Sequence, residues 1–211
     1  MFQSIKNVYC VGRNYRQHAA ELGNAVPDKP MLFMKPTHSL VAMDGRTIVL
    51  PGGRGEIHYE AELVIHIGRQ YEPGIHADDL IDRMALGIDF TLRDVQSVIK
   101  QKGQPWLPAK GFLQSAPLGP FRPFAGAGQI AQETFRLLKN GETVQVGQPG
   151  DMIFDLQSII DFCAAHYGIG PGDLIFTGTP AGVGAVADGD RLQLLWGEEP
   201  AGDIRISIPT S

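Results

Sequence analysis

Leu156, Ile159, Ile160 and Cys163 recur at the i, i+3, i+4, i+7 spacing of a buried helix face, with Asp155 ahead of them and Gly168 behind. This predicts a core-packed amphipathic helix over residues 155–167. A shorter helix is expected over residues 15–22. Asn14 would be its N-cap, Gln17 its capping-box partner, and Gly23 its left-handed terminator. Elsewhere the apolar runs are short, rich in branched residues and bounded by Gly or Pro, which predicts strands at 47–50, 59–67, 86–90, 174–177, 191–196 and 204–208. Asn140-Gly141 between two such runs predicts a hairpin of 135–139 with 142–146 through a type I′ turn, because both central residues of that turn need positive φ. Strands outnumber helices and do not alternate with them, so the expected class is a β-rich α+β domain and not a βαβ series.

Composition narrows the picture. The chain of 211 residues is 43% hydrophobic and 19% charged, enough for one domain over 1–211 with a full core. Its 26 glycines and 15 prolines are spread along the chain, as suits many short elements joined by tight turns. A net charge of −5 and the lack of a basic stripe argue against nucleic acid. The two cysteines, Cys10 and Cys163, have no metal-type spacing and favour a reducing, cytoplasmic setting. No stretch is long and apolar enough for a membrane span.

The candidate chemistry begins at His58-Tyr59-Glu60-Ala61-Glu62. On a strand, residues two apart share a face, so His58, Glu60 and Glu62 are expected to project together. Like charges so placed call for a compensating cation, and carboxylates with water suit a hard divalent ion. The segment fits a solvated outer face equally well. Asp89 closes an apolar run, where a carboxylate is costly unless exposed or coordinated, while Asp94 lies in the polar stretch that follows; either is also a plausible N-cap. Arg13, Lys35 and Lys110 each place a cation beside loop-forming or apolar residues, although a single such cation is more often a surface charge. The loop 177–184 is glycine-rich but lacks the lysine of a phosphate loop; its N–H groups and the Thr179 hydroxyl are suited to a carboxylate, with a plain tight turn as the default. His18 and Glu21, three apart on the short helix, share a face, as a base and its orienting carboxylate would, and as two solvated residues would.

In order along the chain, Val11-Gly12-Arg13-Asn14-Tyr15 with His18 and Glu21, Phe33-Met34-Lys35-Pro36, His58 through Glu62, Asp89 through Gln96, Lys110-Gly111-Phe112 and Thr177 through Gly184 resemble the fumarylacetoacetate hydrolase family. The likeness is to its short acylpyruvase and oxaloacetate decarboxylase or tautomerase branch, and it runs nearly end to end. It implies a mixed β-sheet roll of the family's C-terminal-domain type, a homodimer, and Mg²⁺ or Mn²⁺ held by Glu60, Glu62 and Asp89. It further implies catalytic roles for His18, Glu21 and Lys110, with Arg13, Lys35, Arg93, Gln96 and Thr179 around a small 2-oxo acid and residues 14–23 as a lid helix. Where many relatives place an aspartate, this sequence has Leu113, so Leu113 is left out of the site.

A 2-oxo acid chelating the metal through carboxylate and keto oxygen gives an enolate that hydrolysis, decarboxylation and tautomerisation all share. The first expectation is hydrolysis of short acylpyruvates, with His18 activating the water. Oxaloacetate decarboxylation or keto–enol tautomerisation is the alternative. Isomerases and decarboxylases of aromatic catabolism share the implied metal site, and a non-catalytic dicarboxylate binder is the reading from another class.

Overall fold

The computed structural model describes residues 2–209 other than Leu22 and Asn24. In its first half the strands are β1 (Val8–Gly12), β2 (Met31–Lys35), β3 (Leu40–Ala42), β4 (Asp44–Val49), β5 (Ile57–Tyr59), β6 (Ala61–Ile67), β7 (Ile81–Ile88) and β8 (Thr91–Leu92). The second half adds β9 (Ala116–Leu118), β10 (Arg122–Pro123), β11 (Phe135–Lys139), β12 (Glu142–Gly147), β13 (Leu174–Phe176), β14 (Gly184–Ala185), β15 (Arg191–Trp196) and β16 (Glu199–Ser207). Helices are few: α1 (Arg16–Glu21), α2 (Ala77–Leu80), α3 (Arg93–Gln101), α4 (Leu107–Lys110), α5 (Ala127–Ile130) and α6 (Leu156–His166).

The strands form an eight-stranded mixed sheet ordered β2-β1-β13-β6-β7-β9-β3 with β10 against β7, a five-stranded sheet ordered β12-β11-β15-β16-β4, and a three-stranded sheet ordered β14-β5-β8. Strand β6 lies near the middle of the large sheet and every residue of it is buried. Ala61, Leu63, Ile65 and Ile67 face the main core, while Val64 meets a second cluster with Val8, Cys10, Leu174 and Phe176. That alternation puts Glu62 on the Val64 face, inside the protein. Each fully buried Leu or Ile in this strand stabilises the fold by roughly 1.5–3 kcal/mol relative to exposure. Because the whole strand is covered, the solvated-face reading of its glutamates does not hold.

The long helix and the hairpin form as the sequence predicts. Asp155 caps α6 by accepting from Ser158 N (2.8 Å), and Gly168 follows at φ 82°. The β11–β12 turn carries φ 55° at Asn140 and 89° at Gly141, the two positive values of a type I′ turn. Two expectations change. The strand expected over 59–67 breaks at Glu60, because the chain passes there from the three-stranded sheet (β5) to the large one (β6). The short helix begins at Arg16, and its predicted last residue, Leu22, lies outside the described residues; Gly23 does take φ 63°. Asn14 is not its cap. The Asn14 amide donates to Phe154 O (3.1 Å) and Thr177 O (2.8 Å) and accepts from Phe154 N (2.8 Å), tying three distant segments together. Among the described residues no helix is long and apolar enough to cross a membrane.

Candidate metal centre and its cavity

Glu60 and Asp89 occupy equivalent places. Glu60 lies between β5 and β6, and Asp89 between β7 and β8, so both stand where the chain changes sheets. Asp89 N donates to Glu60 O (2.8 Å), locking the two crossings side by side. Glu62 follows two residues into β6, on the same side as Glu60 by strand alternation. The three side chains are buried and each offers a carboxylate oxygen within 4.8 Å of the others. Asp94, the other aspartate considered as a ligand, is turned elsewhere and accepts from Glu56 N (2.9 Å). Neither aspartate is an N-cap, since Leu92 takes that position on α3.

Two buried lysines offset part of this charge. Lys110, at the end of α4, donates to Glu60 Oε2 (2.7 Å) and Asp89 Oδ2 (2.5 Å). Lys35, at the end of β2, places Nζ 2.8 Å from Asp89 Oδ1 and donates to Phe90 O (3.1 Å), Lys110 O, and Ser115 O and Oγ (both 3.0 Å). Its ammonium is thus enclosed by protein groups behind Asp89 and holds that carboxylate; it does not line the cavity as a substrate contact would. Arg93 Nη2 donates to Glu60 Oε1 (2.5 Å), and its Nη1 to Gln96 Oε1 (2.6 Å). His58, expected beside the glutamates, accepts from Arg93 Nε at Nδ1 (3.3 Å) and forms the outer support of this chain of contacts.

The three carboxylates differ electrostatically. Burial alone would raise the Glu60 carboxyl, but Lys110, Arg93 and His18 outweigh it and hold Glu60 well below the usual carboxylate range. Glu62 has no such cation against it. Burial, then Asp89 and Glu60, push its carboxyl well above the usual value, and only the N–H of Gly178 (2.7 Å) and the more distant Lys110 oppose this. Asp89 Oδ1 faces Lys35 without a well-aligned hydrogen bond and so keeps a lone pair free for a further partner. Three buried oxygen donors, one disfavouring its own charge and another short of a hydrogen bond, fit a hard divalent cation.

The loop after β13 closes over the triad in a way not foreseen. Its N–H groups, expected to face a ligand carboxylate, are taken by the protein's own: Gly178 N binds Glu62, and Gly182 N donates to Glu21 Oε1 (3.1 Å). Gly178 must be glycine, since its φ is 105° and a Cβ would lie 2.6 Å from the Asn14 Cβ. Thr179 does line the cavity, its hydroxyl donating to Ala61 O (2.9 Å). Gln145, which sequence reasoning missed, sets this loop from behind. It accepts from Ala61 N (2.9 Å) and donates to Thr179 Oγ1 (2.9 Å) and Pro180 O (3.0 Å). Gln145→Ala strands buried partners, so a loss of roughly 1–3 kcal/mol is expected, seen as a fall of roughly 2–12 °C in Tm. An unchanged melting curve would refute this support role.

Helix α1 brings His18 to the cavity wall. His18 is 5% exposed, and its Nδ1 is 3.4 Å from Glu21 Oε2, which leaves Nε2 for the cavity. Burial lowers the imidazole below its usual 6.5 despite the opposing pull of Glu60 and Glu21, so His18 is neutral at neutral pH. The cavity, about 30 Å³ and partly open, is lined by Arg13, His18, the triad, Arg93, Gln96, Lys110 and Thr179. Arg13 enters from a strained backbone, φ 59° at a non-glycine residue, where a functional constraint is common. Phe33, Lys100 and Trp106 also line it. Only their spatial neighbours give them away, since nothing in their local spacing does.

The curled mixed sheet thus gathers three buried carboxylates at one cavity, a donor set that a divalent cation would fit. Residues 7–204 match the fumarylacetoacetate (FAA) hydrolase C-terminal family, and the chain is a member of that family. It is 38% identical to oxaloacetate tautomerase YcgM of Escherichia coli, over 89% of this chain and 87% of that protein. It is 39% identical to the mitochondrial oxaloacetate tautomerase FAHD1 of Rattus norvegicus, over 89% and 86%. Among solved structures, fumarylpyruvate hydrolase from Pseudomonas aeruginosa in complex with Mn²⁺ and pyruvate superposes with a TM-score of 0.90 at 33% identity, covering 97% of this chain and 91% of that one. The names of these curated relatives favour oxaloacetate chemistry, the expected alternative, over acylpyruvate hydrolysis.

Proposed function

We propose that the chain is an oxaloacetate keto–enol tautomerase that uses Mg²⁺, or Mn²⁺ in its place. The observation that carries this reading is the buried His18 lining the same cavity as the carboxylate triad. Glu60, Glu62 and Asp89 would hold a divalent cation, which would supply Lewis acidity at a bound 2-oxo group. In the enol-to-keto direction His18 Nε2 takes the proton of the enol hydroxyl and delivers it to C3, with the reverse path in the other direction, and Glu21 fixes the ring so that this nitrogen faces inward. Lys110 and Arg93 keep Glu60 ionised, Lys35 holds the Asp89 carboxylate in place, and Arg13 with Lys100 adds positive charge where the second carboxylate of a dianionic substrate is to be held. Closure by α1 keeps bulk water from the enolate, which favours return of the proton over hydrolytic side reactions.

The test is stopped-flow absorbance of enol-oxaloacetate with saturating Mg²⁺ and with excess chelator, with acetylpyruvate turnover measured in parallel. Metal-dependent acceleration of enol decay is expected. Turnover of acetylpyruvate without any effect on oxaloacetate would overturn the assignment in favour of hydrolysis. Because the imidazole is held below 6.5, it remains a base under mildly acidic conditions, and kcat/KM at saturating metal is expected to fall only as pH drops through that lowered value. An acid limb centred above 6.5 would contradict it.

Two settings go with this reading. Cys10 and Cys163 are buried and unpaired, which supports a reducing, cytoplasmic-type compartment. Self-association as a homodimer is inferred from the family likeness, and exposed Val49 and Leu113 beside Phe112 supply apolar surface for it. Light scattering at micromolar concentration distinguishes dimer from monomer.

A further inference from the structure

His58 stands behind the cavity wall and is engaged at both ring nitrogens. Its Nδ1 lies 3.3 Å from Arg93 Nε, and because a guanidinium only donates, that nitrogen must carry the lone pair. The ring proton is therefore on Nε2, which donates to Glu56 Oε2 at 2.9 Å. The Glu56 side chain is 65% exposed and that of His58 16%, so the pair begins at the surface and ends on Arg93, a residue of the cavity wall. The small sheet keeps these groups in register. Ile57 and His58 of β5 lie opposite Leu92 and Thr91 of β8, and Arg93 N donates to Glu56 O (2.8 Å).

Arg93 carries this order inward. With Nε on His58, Nη1 on Gln96 Oε1 and Nη2 on Glu60 Oε1, its guanidinium is fixed at all three nitrogens. Glu60 has a second hold, since Lys110 donates to its other oxygen. Gln96 depends on Arg93 for its orientation: a donor at its carbonyl oxygen leaves the NH₂ end of the amide, which only donates, to meet what enters the cavity. Without an acceptor for Nε the guanidinium can pivot, and a Gln96 amide released by that pivot can flip and present its carbonyl instead. We propose that His58, with Glu56 behind it, is a positioning residue for the bound acid, acting through Arg93 to keep the N–H groups of Gln96 turned toward a substrate oxygen. His58 itself touches no reacting atom. This rests on the reading of the cavity as the site of a 2-oxo acid.

The probe is oxalate, titrated calorimetrically into the Mg²⁺-loaded full chain, with Mn²⁺ affinity of the metal-free chain measured beside it. His58→Leu is expected to weaken oxalate by about 5- to 10-fold, the effect of roughly one hydrogen bond, while Mn²⁺ affinity stays within about 3-fold. His58→Asn, whose carbonyl oxygen can take the place of Nδ1, is expected to restore oxalate to within about 2-fold of the unmodified chain. Added to Gln96→Leu, His58→Leu is expected to cost less than about 2-fold more, because the amide it positions is already gone. At the exposed end, Glu56→Leu is expected to give a partial loss and Glu56→Gln, which still accepts from Nε2, none; this pair carries the test if His58→Leu does not fold. Equal losses in His58→Leu and His58→Asn, or full additivity with Gln96→Leu, overturn the proposal. So does a fall in Mn²⁺ affinity as large as that for oxalate, which would place the effect on Glu60. Failure of the unmodified chain to bind oxalate removes the 2-oxo acid reading and this proposal with it, and that titration alone tells it apart from the other results.

Discussion

Asp89→Asn lowers the thermal midpoint of the metal-free protein by roughly 6–20 °C, whereas Glu62→Gln leaves it unchanged or raises it. Asp89 is the counter-charge of two buried ammonium groups, and removing one partner of a buried charge cluster costs about 3–5 kcal/mol, at roughly 2–4 °C per kcal/mol for a chain of this length. Glu62 is the reverse case, because burial and its acidic neighbours oppose its charge. A carboxyl whose folded pKa is raised binds a proton in the folded state that the unfolded chain has already released. Its contribution is therefore complete below the unfolded value of 4.5 and is lost as pH climbs through the raised folded value. Neutral glutamine removes that loss. If the triad holds the proposed cation, both variants are expected to bind Mg²⁺ or Mn²⁺ more weakly, since each lacks an anionic donor. Melting curves in chelator and calorimetric titration with Mn²⁺ separate the two effects, and equal destabilisation by both variants would show that the lysines do not depend on Asp89.

The second large effect falls on His18. His18→Gln is expected to slow oxaloacetate tautomerisation by about 10²–10⁴-fold, the usual scale for a positioned acid–base group, with Glu21→Gln milder in the same direction because it misorients the ring without removing it. Loss of CO₂ from oxaloacetate requires no proton transfer at C3 before the bond breaks, so the same variant retains decarboxylation far better. Measuring both reactions at one saturating Mg²⁺ concentration provides the comparison. Equal losses would assign α1 a closing role shared by both reactions and withdraw the proton-transfer role from His18.

The local signal, Glu60 and Glu62 two apart in an apolar strand and Asp89 at the end of another, left a solvated face equally open, and only the family resemblance joined the three into one donor set. The strand break at Glu60 was not legible, since the two segments are continuous in sequence and differ only in which distant strands they pair with, β8 and β14 for one, β7 and β13 for the other. Lys35 illustrates a related limit. Its residue type suggested a ligand contact, but whether an ammonium faces a cavity or three carbonyl oxygens depends on the loop at Ser115, 80 positions away. Asn14 stood at an ideal capping position and was drawn instead to Phe154 and Thr177, because buried carbonyls without partners outweigh one exposed helix N–H. Gln145 has no local signal at all. Its contacts lie 84, 34 and 35 residues away.

The paired crossings at Glu60 and Asp89 have a further consequence for the spacing of the carboxylates. Both carboxylates stand on backbone that belongs to neither sheet, so their separation is fixed by the splay between the large sheet and the three-stranded one. That splay is set in turn by contacts such as Tyr59 against Gly184, where the ring hydroxyl would lie 2.6 Å from any added Cβ. Substitutions in the small sheet can thus widen or narrow the gap between the ligands without replacing one of them. The spacing of the three carboxylates, and with it their fit to one divalent ion over another, can therefore be tuned through residues that never touch them.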